Sequence, residues 1–218
     1  MIIIHENLES EARIIAQKIK EVLGFPIQIS KFNLSEILIP IEEFQGYLIP
    51  NKETMHHSLD SNKRFLLLTE KDIYYAKNSK EDDWIFAYEY DELNETPIII
   101  STARLKQNPV ANFQKRLEML AIHEIGHDVV KGKHLQEAFW VNQQTGYRLK
   151  LGLHCPDNSC VLYEMTDIKT PTPEIGYLEI GGEPRYDSGM DEIIERLQLQ
   201  FFCGTCTKAL VIHSSYFA

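Results

Sequence analysis

The sequence lacks the features that direct a protein to a membrane or to nucleic acid. It has no apolar run as long as a membrane span, and its apolar start at residues 1–4 is interrupted by His5 and Glu6, so we expect no secretory signal. It has no lysine or arginine cluster, and its formal net charge is -10. Nucleic acid and anionic lipid both need a concentrated basic face. We therefore expect a cytoplasmic protein without nucleic-acid or membrane partners.

Cysteine is absent until position 155, and all four cysteines then follow as two closely spaced pairs, Cys155 with Cys160 and Cys203 with Cys206. In a reducing compartment this spacing favours metal ligation over disulfides. Four thiolates make a tetrahedral zinc site without an open position, so its role would be structural. Buried cysteines without metal are one alternative. A redox CxxC is another, although this CxxC is expected to close a helix and not to open one.

The first half of the chain alternates between helical and strand patterns. Apolar residues at helical spacing predict a helix that Asn7 or Ser10 caps and that ends at Gly24. Short apolar runs bounded by Pro, Asn, Asp or Ser predict strands of one sheet at residues 27–29, 65–68, 84–90 and 98–100. The predicted fold class is therefore α/β.

The second half begins with a buried helix, predicted from Asn108 and Pro109 to about Val130. Residues 132–190 are rich in Gly, Pro, Asn and Thr and predict loops with a hairpin near residues 175–180. A third helix is predicted over residues 191–202. We expect one domain over residues 1–218, with an upper α/β part at 1–131 and a lower part at 132–218 that zinc holds together.

The predicted buried helix carries the motif His123-Glu124-Ile125-Gly126-His127. On a helix the two histidines project from one face and can reach the same zinc ion. Glu124 then lies beside the metal-bound water, whose proton it can take and later give to a leaving amine. A chance match is the alternative, but a His, Glu and His inside a largely buried helix would be costly unless a metal satisfied them.

Two histidines do not complete a catalytic zinc site, so a third ligand must come from beyond the helix. His134 follows after a turn that Gly132 could make, and His154 is adjacent to Cys155. Glu137 would be the third ligand of an unrelated HExxH enzyme. The residues themselves leave these possibilities open.

Together these motifs resemble those of the archaemetzincins, a family of metzincin metallopeptidases. The family signature joins an HExxH helix to a His-Cys pair, a second cysteine and a later CxxC, and the same elements occur here in that order. The resemblance implies two zinc ions per chain. It favours His154 over His134, because His154-Cys155 keeps the His-Cys pair. The implied ligands are His123, His127 and His154 for a catalytic zinc, and Cys155, Cys160, Cys203 and Cys206 for a structural zinc.

Upstream segments are also similar to this family. Residues 103–105 resemble its Ala-Arg-Leu before the active-site helix, and residues 84–87 resemble its edge strand over the cleft. Metzincins bind substrate as an extended strand along that edge, so the implied substrate-binding residues are Trp84, Ile85, Phe86 and Ala87. The resemblance implies a zinc-dependent metallopeptidase that acts on a peptide or protein, with a metzincin-like mixed sheet, an active-site helix and a loop-rich lower part.

The sequence departs from the family pattern in three places. Val130 and Lys133 stand where the extended motif has Gly and His, so a third ligand at His154 requires an insertion, which we expect to form a packed flap with Phe139, Trp140 and Tyr147. Leu162 stands where the family has a methionine under the zinc. A second insertion separates the cysteine pairs. The alternative function is therefore an inactive zinc-binding module that binds peptides or acts as a scaffold.

Overall fold

The computed structural model describes residues 1–24, 26–33, 38–41, 46–48, 64–74, 84–89, 97–106, 110–130, 132–197 and 200–211. The chain has two compact units, the first extending to Glu124 and the second comprising Ile125–Val211. None of the helices in these ranges has the length and hydrophobicity that a membrane span needs.

The described elements begin with a strand and a helix, after which eight strands lead to a second long helix; four further strands then precede two short helices. The strands are β1 Ile2–His5, β2 Gln28–Lys31, β3 Ile39–Ile41, β4 Gly46–Leu48, β5 Phe65–Thr69, β6 Ile73–Tyr74, β7 Trp84–Ile85, β8 Ala87–Glu89, β9 Ile98–Ser101, β10 Gln136–Asn142, β11 Arg148–His154, β12 Gly176–Ile180 and β13 Glu183–Arg185. The helices are α1 Glu9–Leu23, α2 Phe113–Val129, α3 Met190–Leu197 and α4 Gly204–Lys208.

A five-stranded mixed sheet in the order β2-β1-β5-β9-β8 forms the first unit's main layer. Strands β2, β1, β5 and β9 are parallel, and β8 pairs antiparallel with β9 at the edge. The central strands are buried along their whole length, which explains why they are continuous apolar runs such as Phe65-Leu66-Leu67-Leu68. The predicted α/β class with a mixed sheet is confirmed.

Helix α1 buries Ala12, Ile15, Ile19 and Leu23 on one face, as its apolar spacing predicts. Gly24 ends the helix with a φ of 78°, a left-handed conformation that glycine adopts at little cost. The predicted start was wrong. Leu8 is the N-cap, and its apolar side chain cannot accept a capping hydrogen bond; its backbone N–H donates to Nδ1 of the buried His5.

The region predicted as one strand at 84–90 contains two short strands in different sheets. Strand β7 is the edge of a four-stranded sheet in the order β3-β4-β6-β7, whereas β8 is the edge of the five-stranded sheet. The chain bends between them at Phe86, whose side chain is buried and whose carbonyl accepts from the Ser101 N–H. Tyr90 lies outside the described residues.

Helix α2 is the buried helix that the sequence predicts. A 3-10 turn at Val110–Asn112 leads into it; the predicted start at Asn108 and Pro109 lies outside the described residues. Leu117, Leu120, Ala121, Ile122 and Ile125 are all buried. The helix ends close to the predicted Val130.

The second unit contains a four-stranded antiparallel sheet in the order β11-β10-β12-β13 where the sequence predicts mostly loops. The predicted hairpin near 175–180 is present as β12 and β13. The predicted packed flap is the β10–β11 hairpin, in which Phe139 and Trp140 are partly buried, but Tyr147 is 56% exposed and does not pack as predicted. Loops were expected because Gly, Pro and Asn are frequent here, but Asn142, Gly152, Gly176 and Pro184 lie within the strands.

The helix predicted over residues 191–202 is also interrupted. Helix α3 ends at Leu197, and a separate short helix, α4, begins at Gly204. Cys203 is the N-cap of α4, so the CxxC opens a helix and does not close one, which corrects the sequence interpretation. Helix α4 begins here because the Cys203 sulfur acts as the capping group and accepts a hydrogen bond from the Cys206 N–H.

Candidate functional site

Three histidines come together as one group. His123, His127 and His154 each offer a ring nitrogen, and these atoms all lie within 4.8 Å of one another. His123 and His154 are buried and His127 is partly buried. We call this group the histidine site.

Helix α2 supplies two members of the histidine site because a spacing of four residues places them on the same face, one turn apart. Glu124 follows His123 directly and is also buried. The other buried side chains of this helix are mostly apolar, so these polar side chains lie in a largely apolar environment. Such groups are costly to bury unless they are satisfied, and metal ligation is one way to satisfy them.

Strand β11 supplies His154, and a bulge in that strand turns it inward. The pairing of β10 with β11 shifts between Ala138, which faces Gly152, and Phe139, which faces Lys150, so Leu151 is an extra residue. An extra residue reverses the facing of every residue after it. As a result Leu153 is 52% exposed, while His154 is only 1% exposed.

Gly152 makes this bulge possible with a φ of 104°, a conformation that other residues rarely adopt. The inward ring of His154 stands edge to face on the ring of His127. On its other side, Nε2 of His154 lies 2.6 Å from Oε2 of Glu164. The sequence analysis did not identify Glu164, because its contact with His154 depends on how the chain folds after Cys160.

The four cysteines form a second group, the cysteine site. The sulfurs of Cys155, Cys160, Cys203 and Cys206 all lie within 4.8 Å of one another, and none is in a disulfide. The Cys203 N–H lies 3.5 Å from the Cys160 sulfur, and the Cys206 N–H lies 3.5 Å from the Cys203 sulfur. Backbone N–H groups that point at sulfur suit thiolates, so the site is prepared for negative charge.

Hydrogen bonds between the sulfurs shift the pKa values of the thiols in the cysteine site. Hydrogen bonds from Cys155 and then from Cys206 lower the pKa of Cys160. The bond with Cys160 raises the pKa of Cys155, and bonds with Cys155 and Cys160 raise that of Cys206. A divalent cation can displace the thiol protons of the group and stabilise its sulfurs as thiolates.

His134, the alternative third ligand, lies at the cysteine site. Its Nε2 is 3.1 Å from the sulfur of Cys206. The chain turns tightly at Gly132, where an added Cβ would lie 2.4 Å from Nδ1 of His134. The turn that the sequence predicts at Gly132 is therefore present, but it carries His134 to the cysteines. Glu137, the other alternative, is exposed and pairs with Lys150 at 2.7 Å.

Both groups have the composition that zinc prefers. Three imidazoles leave one position open on a tetrahedral ion, as in catalytic zinc sites. Four thiolates leave none, as in structural sites. The buried positions and the mutual distances of the donor atoms fit an ion in each group.

The predicted substrate-binding residues, 84–87, lie at sheet edges. Ala87 is in β8, the antiparallel edge of the five-stranded sheet, and Trp84 and Ile85 are in β7, the edge of a different sheet. Phe86, the residue that links β7 to β8 in sequence, has a buried side chain. Among the described residues, β8 pairs on one side only, with β9.

Comparison with known proteins identifies the fold. The sequence matches no family model and no curated protein. A crystal structure of archaemetzincin from Archaeoglobus fulgidus, complexed with malonate, has a TM-score of 0.56 and 19% sequence identity, and the match covers 95% of this chain and 98% of that chain. Archaemetzincin from Methanopyrus kandleri has a TM-score of 0.54 and 18% identity, with 95% of this chain and 90% of that chain covered.

A zinc-dependent peptidase from Methanocorpusculum labreanum is similar as well. Its TM-score is 0.51 at 16% identity, and the match covers 95% of this chain and 98% of that chain. The likeness extends over nearly the whole length of all three proteins. The chain therefore has the archaemetzincin fold, and the resemblance that the sequence predicts is confirmed at the level of the fold.

Proposed function

We propose that this protein is a zinc-dependent metallopeptidase that hydrolyses peptide bonds. The observation that carries the proposal is the histidine site, in which three histidines from a helix and a distant strand converge beside Glu124. Zinc bound there would polarise the scissile carbonyl and lower the pKa of water. Two fold neighbours are archaemetzincins and the third is a zinc-dependent peptidase, which agrees with this chemistry.

The side chains of this chain have separate roles in the proposal. His123, His127 and His154 bind the ion as neutral imidazoles. Glu124 is the general base that takes a proton from the attacking water and the general acid that returns it to the leaving amine. Its buried position beside His123 suits this role, because little bulk water reaches the carboxylate to exchange protons with it.

Residues 84–87 are the proposed main-chain binding site for the substrate. A peptide that adds to the edge of β8 would gain backbone hydrogen bonds without any demand on its sequence. A substrate bound in this way is a peptide or an unfolded segment, because only extended backbone can pair with a strand edge.

The cysteine site is the proposed structural zinc site, which gives two zinc ions per chain. It joins segments that are far apart in sequence, since Cys155 and Cys160 flank a short loop whereas Cys203 and Cys206 begin α4. Thiolates must stay reduced to hold zinc, so we place the protein in the reducing cytoplasm.

Glu124→Gln is the test of this function. We expect the variant to keep zinc at the histidine site and to lose peptide hydrolysis by about 100- to 10,000-fold, the usual contribution of a general acid-base group. Cleavage of a diverse peptide library would be followed by mass spectrometry of new termini. Glu118→Gln is the matched control, because Glu118 is a carboxylate of the same helix that pairs with Lys18 at 3.4 Å.

Two outcomes would contradict the proposal. If wild-type protein with a zinc ion at the histidine site cleaves no member of the library, the site belongs to a binding or scaffold module. If Glu124→Gln is as active as the wild type, another group is the base. Zinc content, measured by elemental analysis on the same samples, separates both results from simple loss of metal.

A further inference from the structure

Glu164 is a carboxylate at the histidine site that neither metal motif includes. Its Oε2 lies 2.6 Å from Nε2 of His154. The His154 side chain is 2% exposed and that of Glu164 is 13% exposed, so solvent screens the contact little. A carboxylate in such a place is costly to bury unless a hydrogen bond satisfies it, and this contact provides one.

Both oxygens of Glu164 have partners. Oε1 accepts a hydrogen bond from the Met165 N–H at 2.8 Å, while Oε2 faces His154. The carboxylate is therefore held from two directions, which fixes its orientation.

The chain on either side of Glu164 is also fixed. The Cys155 N–H donates to the Leu162 carbonyl at 2.8 Å, and the Tyr163 N–H donates to the Cys160 carbonyl at 3.0 Å. After Glu164, the Thr166 N–H donates to the Ser188 carbonyl at 3.1 Å. The position of the carboxylate is thus built into the loop that follows the cysteine pair.

The chemistry of imidazole assigns different tasks to the two ring nitrogens of His154. A neutral ring carries one hydrogen, and the nitrogen without it is the one that can bind a metal. A carboxylate accepts hydrogen bonds and cannot donate one when ionised, so the nitrogen that faces Glu164 is the one that carries the hydrogen. The nitrogen left for metal binding is then Nδ1.

We propose that Glu164 is a positioning residue of the histidine site, which accepts the Nε2 hydrogen of His154 and presents Nδ1 to the zinc. The carboxylate selects the tautomer, fixes the ring plane and makes the ring a stronger ligand, as carboxylates behind metal-bound histidines do. This inference rests on the proposed function, because it assumes that zinc binds at the histidine site.

The first test is the affinity for Zn²⁺, measured by competition with a chelator. Glu164→Ala should weaken binding at the histidine site by about 10- to 100-fold and leave the cysteine site unchanged. Glu164→Gln keeps an oxygen that can accept the Nε2 hydrogen, so it should restore part of the loss. Glu183→Gln, which changes an exposed carboxylate of β13, is the control and should bind as the wild type does.

The second test needs no variant, so it does not depend on whether Glu164→Ala folds. A crystal structure of the zinc-loaded wild-type protein should show Nδ1 of His154 on the metal and Nε2 beside Glu164. Zinc on Nε2, with Glu164 displaced or bound to the metal, would overturn the inference and leave the proposed function intact. Wild-type affinity in Glu164→Ala would overturn it too. A wild-type protein that binds zinc only at the cysteines would overturn both proposals.

Discussion

The imidazole rings of His127 and His154 stand edge to face, with their centroids 4.7 Å apart and their planes at 81°. One ring comes from the last turns of α2 and the other from the end of β11. The β10–β11 hairpin lies between them in sequence and brings the chain back to the helix. The hairpin that follows the HExxH motif is thus the element that brings the third histidine to the site.

Replacing His154 should therefore have a different effect from replacing His134. We expect His154→Ala to weaken zinc binding at the histidine site by more than about 100-fold, since the loss of a ligand costs more than the loss of a partner behind it. His134→Ala should leave that site filled, because His134 lies 3.1 Å from the Cys206 sulfur. Elemental analysis of both variants gives the result. Loss of the histidine-site zinc only in His134→Ala would contradict the ligand set.

Changing Cys203 and Cys206 together to Ser should remove one zinc and much of the stability of the second unit. A structural zinc contributes directly to the free energy of folding, and hydroxyls bind it poorly. Thermal melting and zinc content are the measurements. Thr205→Ala, which changes one of the two exposed residues between the cysteines, should keep both zincs and melt as the wild type does. A double variant with two zincs and an unchanged melting temperature would rule out the site.

Gly152→Ala should disturb the histidine site through the backbone. At a φ of 104° an added Cβ is strained, at a cost of about 1–3 kcal/mol, and the relaxed strand would lose the bulge that turns His154 inward. Gly146→Ala is the matched control in the same hairpin. Gly146 also has a positive φ, of 71°, so it should lose stability but keep its zinc affinity. Equal zinc affinities for the two variants would show that the bulge does not position His154.

Gly126 and Leu162 should be coupled. A Cβ at Gly126 would lie 2.7 Å from Cδ2 of Leu162 and 3.2 Å from Cε1 of Phe202, so Gly126→Ala should destabilise the protein by about 1–3 kcal/mol. Because Leu162→Ala removes the obstacle, the double variant should cost less than the sum of the single changes. Urea unfolding measures all three. Gly204→Ala, where a Cβ meets nothing within 4 Å, is the control. Strict additivity would contradict the contact.

Asp187 should make the stability depend on pH in the acid range. Burial would raise its pKa, but hydrogen bonds from Tyr163 and Asn158 and the charge of Arg196 lower it overall. A carboxyl group whose pKa is lower in the folded state than in the unfolded state stabilises the folded protein. The full contribution is present above the unfolded pKa of about 3.9, and it is lost as the pH falls through the pKa of the folded state.

The variant Asp187→Asn should therefore unfold more easily than the wild type by about 0.5–1 kcal/mol at pH 6, since the Asp187 side chain is 36% exposed and solvent screens its charge. The difference should shrink as the pH falls below about 4. Urea unfolding across this range tests it, and the difference between the two proteins cancels the loss of zinc that both undergo in acid. A difference that stays constant with pH would show that the carboxylate's charge is not the cause.

Local patterns predicted the elements that depend on local spacing. The HExxH helix was found because His123 and His127 repeat at the helical period, and the buried strands because Leu66–Leu68 and Ile98–Ile100 are continuous apolar runs. The four cysteines were grouped correctly in space because paired spacing is typical of zinc sites.

Other features depend on contacts that spacing does not encode. In strand β11, Leu149 and Leu151 alternate with Arg148 and Lys150, but the glycines at positions 146 and 152 favoured a loop interpretation. The contact between His154 and Glu164 arises from the fold of the loop after Cys160. The capping of α4 by Cys203 depends on a sulfur that behaves as a polar cap, a role that sequence rules assign to Ser, Thr, Asp or Asn.

The peptide bond between His154 and Cys155 joins the two candidate metal sites. Fixing Cys155 at the cysteine site removes most of the conformational freedom of His154. The conformational entropy of His154 is then already lost when an ion binds at the histidine site, so that binding costs less free energy. Occupation of the cysteine site should then raise the affinity of the histidine site, and by linkage the reverse holds to the same extent. An ion bound at either site would therefore lower the entropic cost of binding an ion at the other.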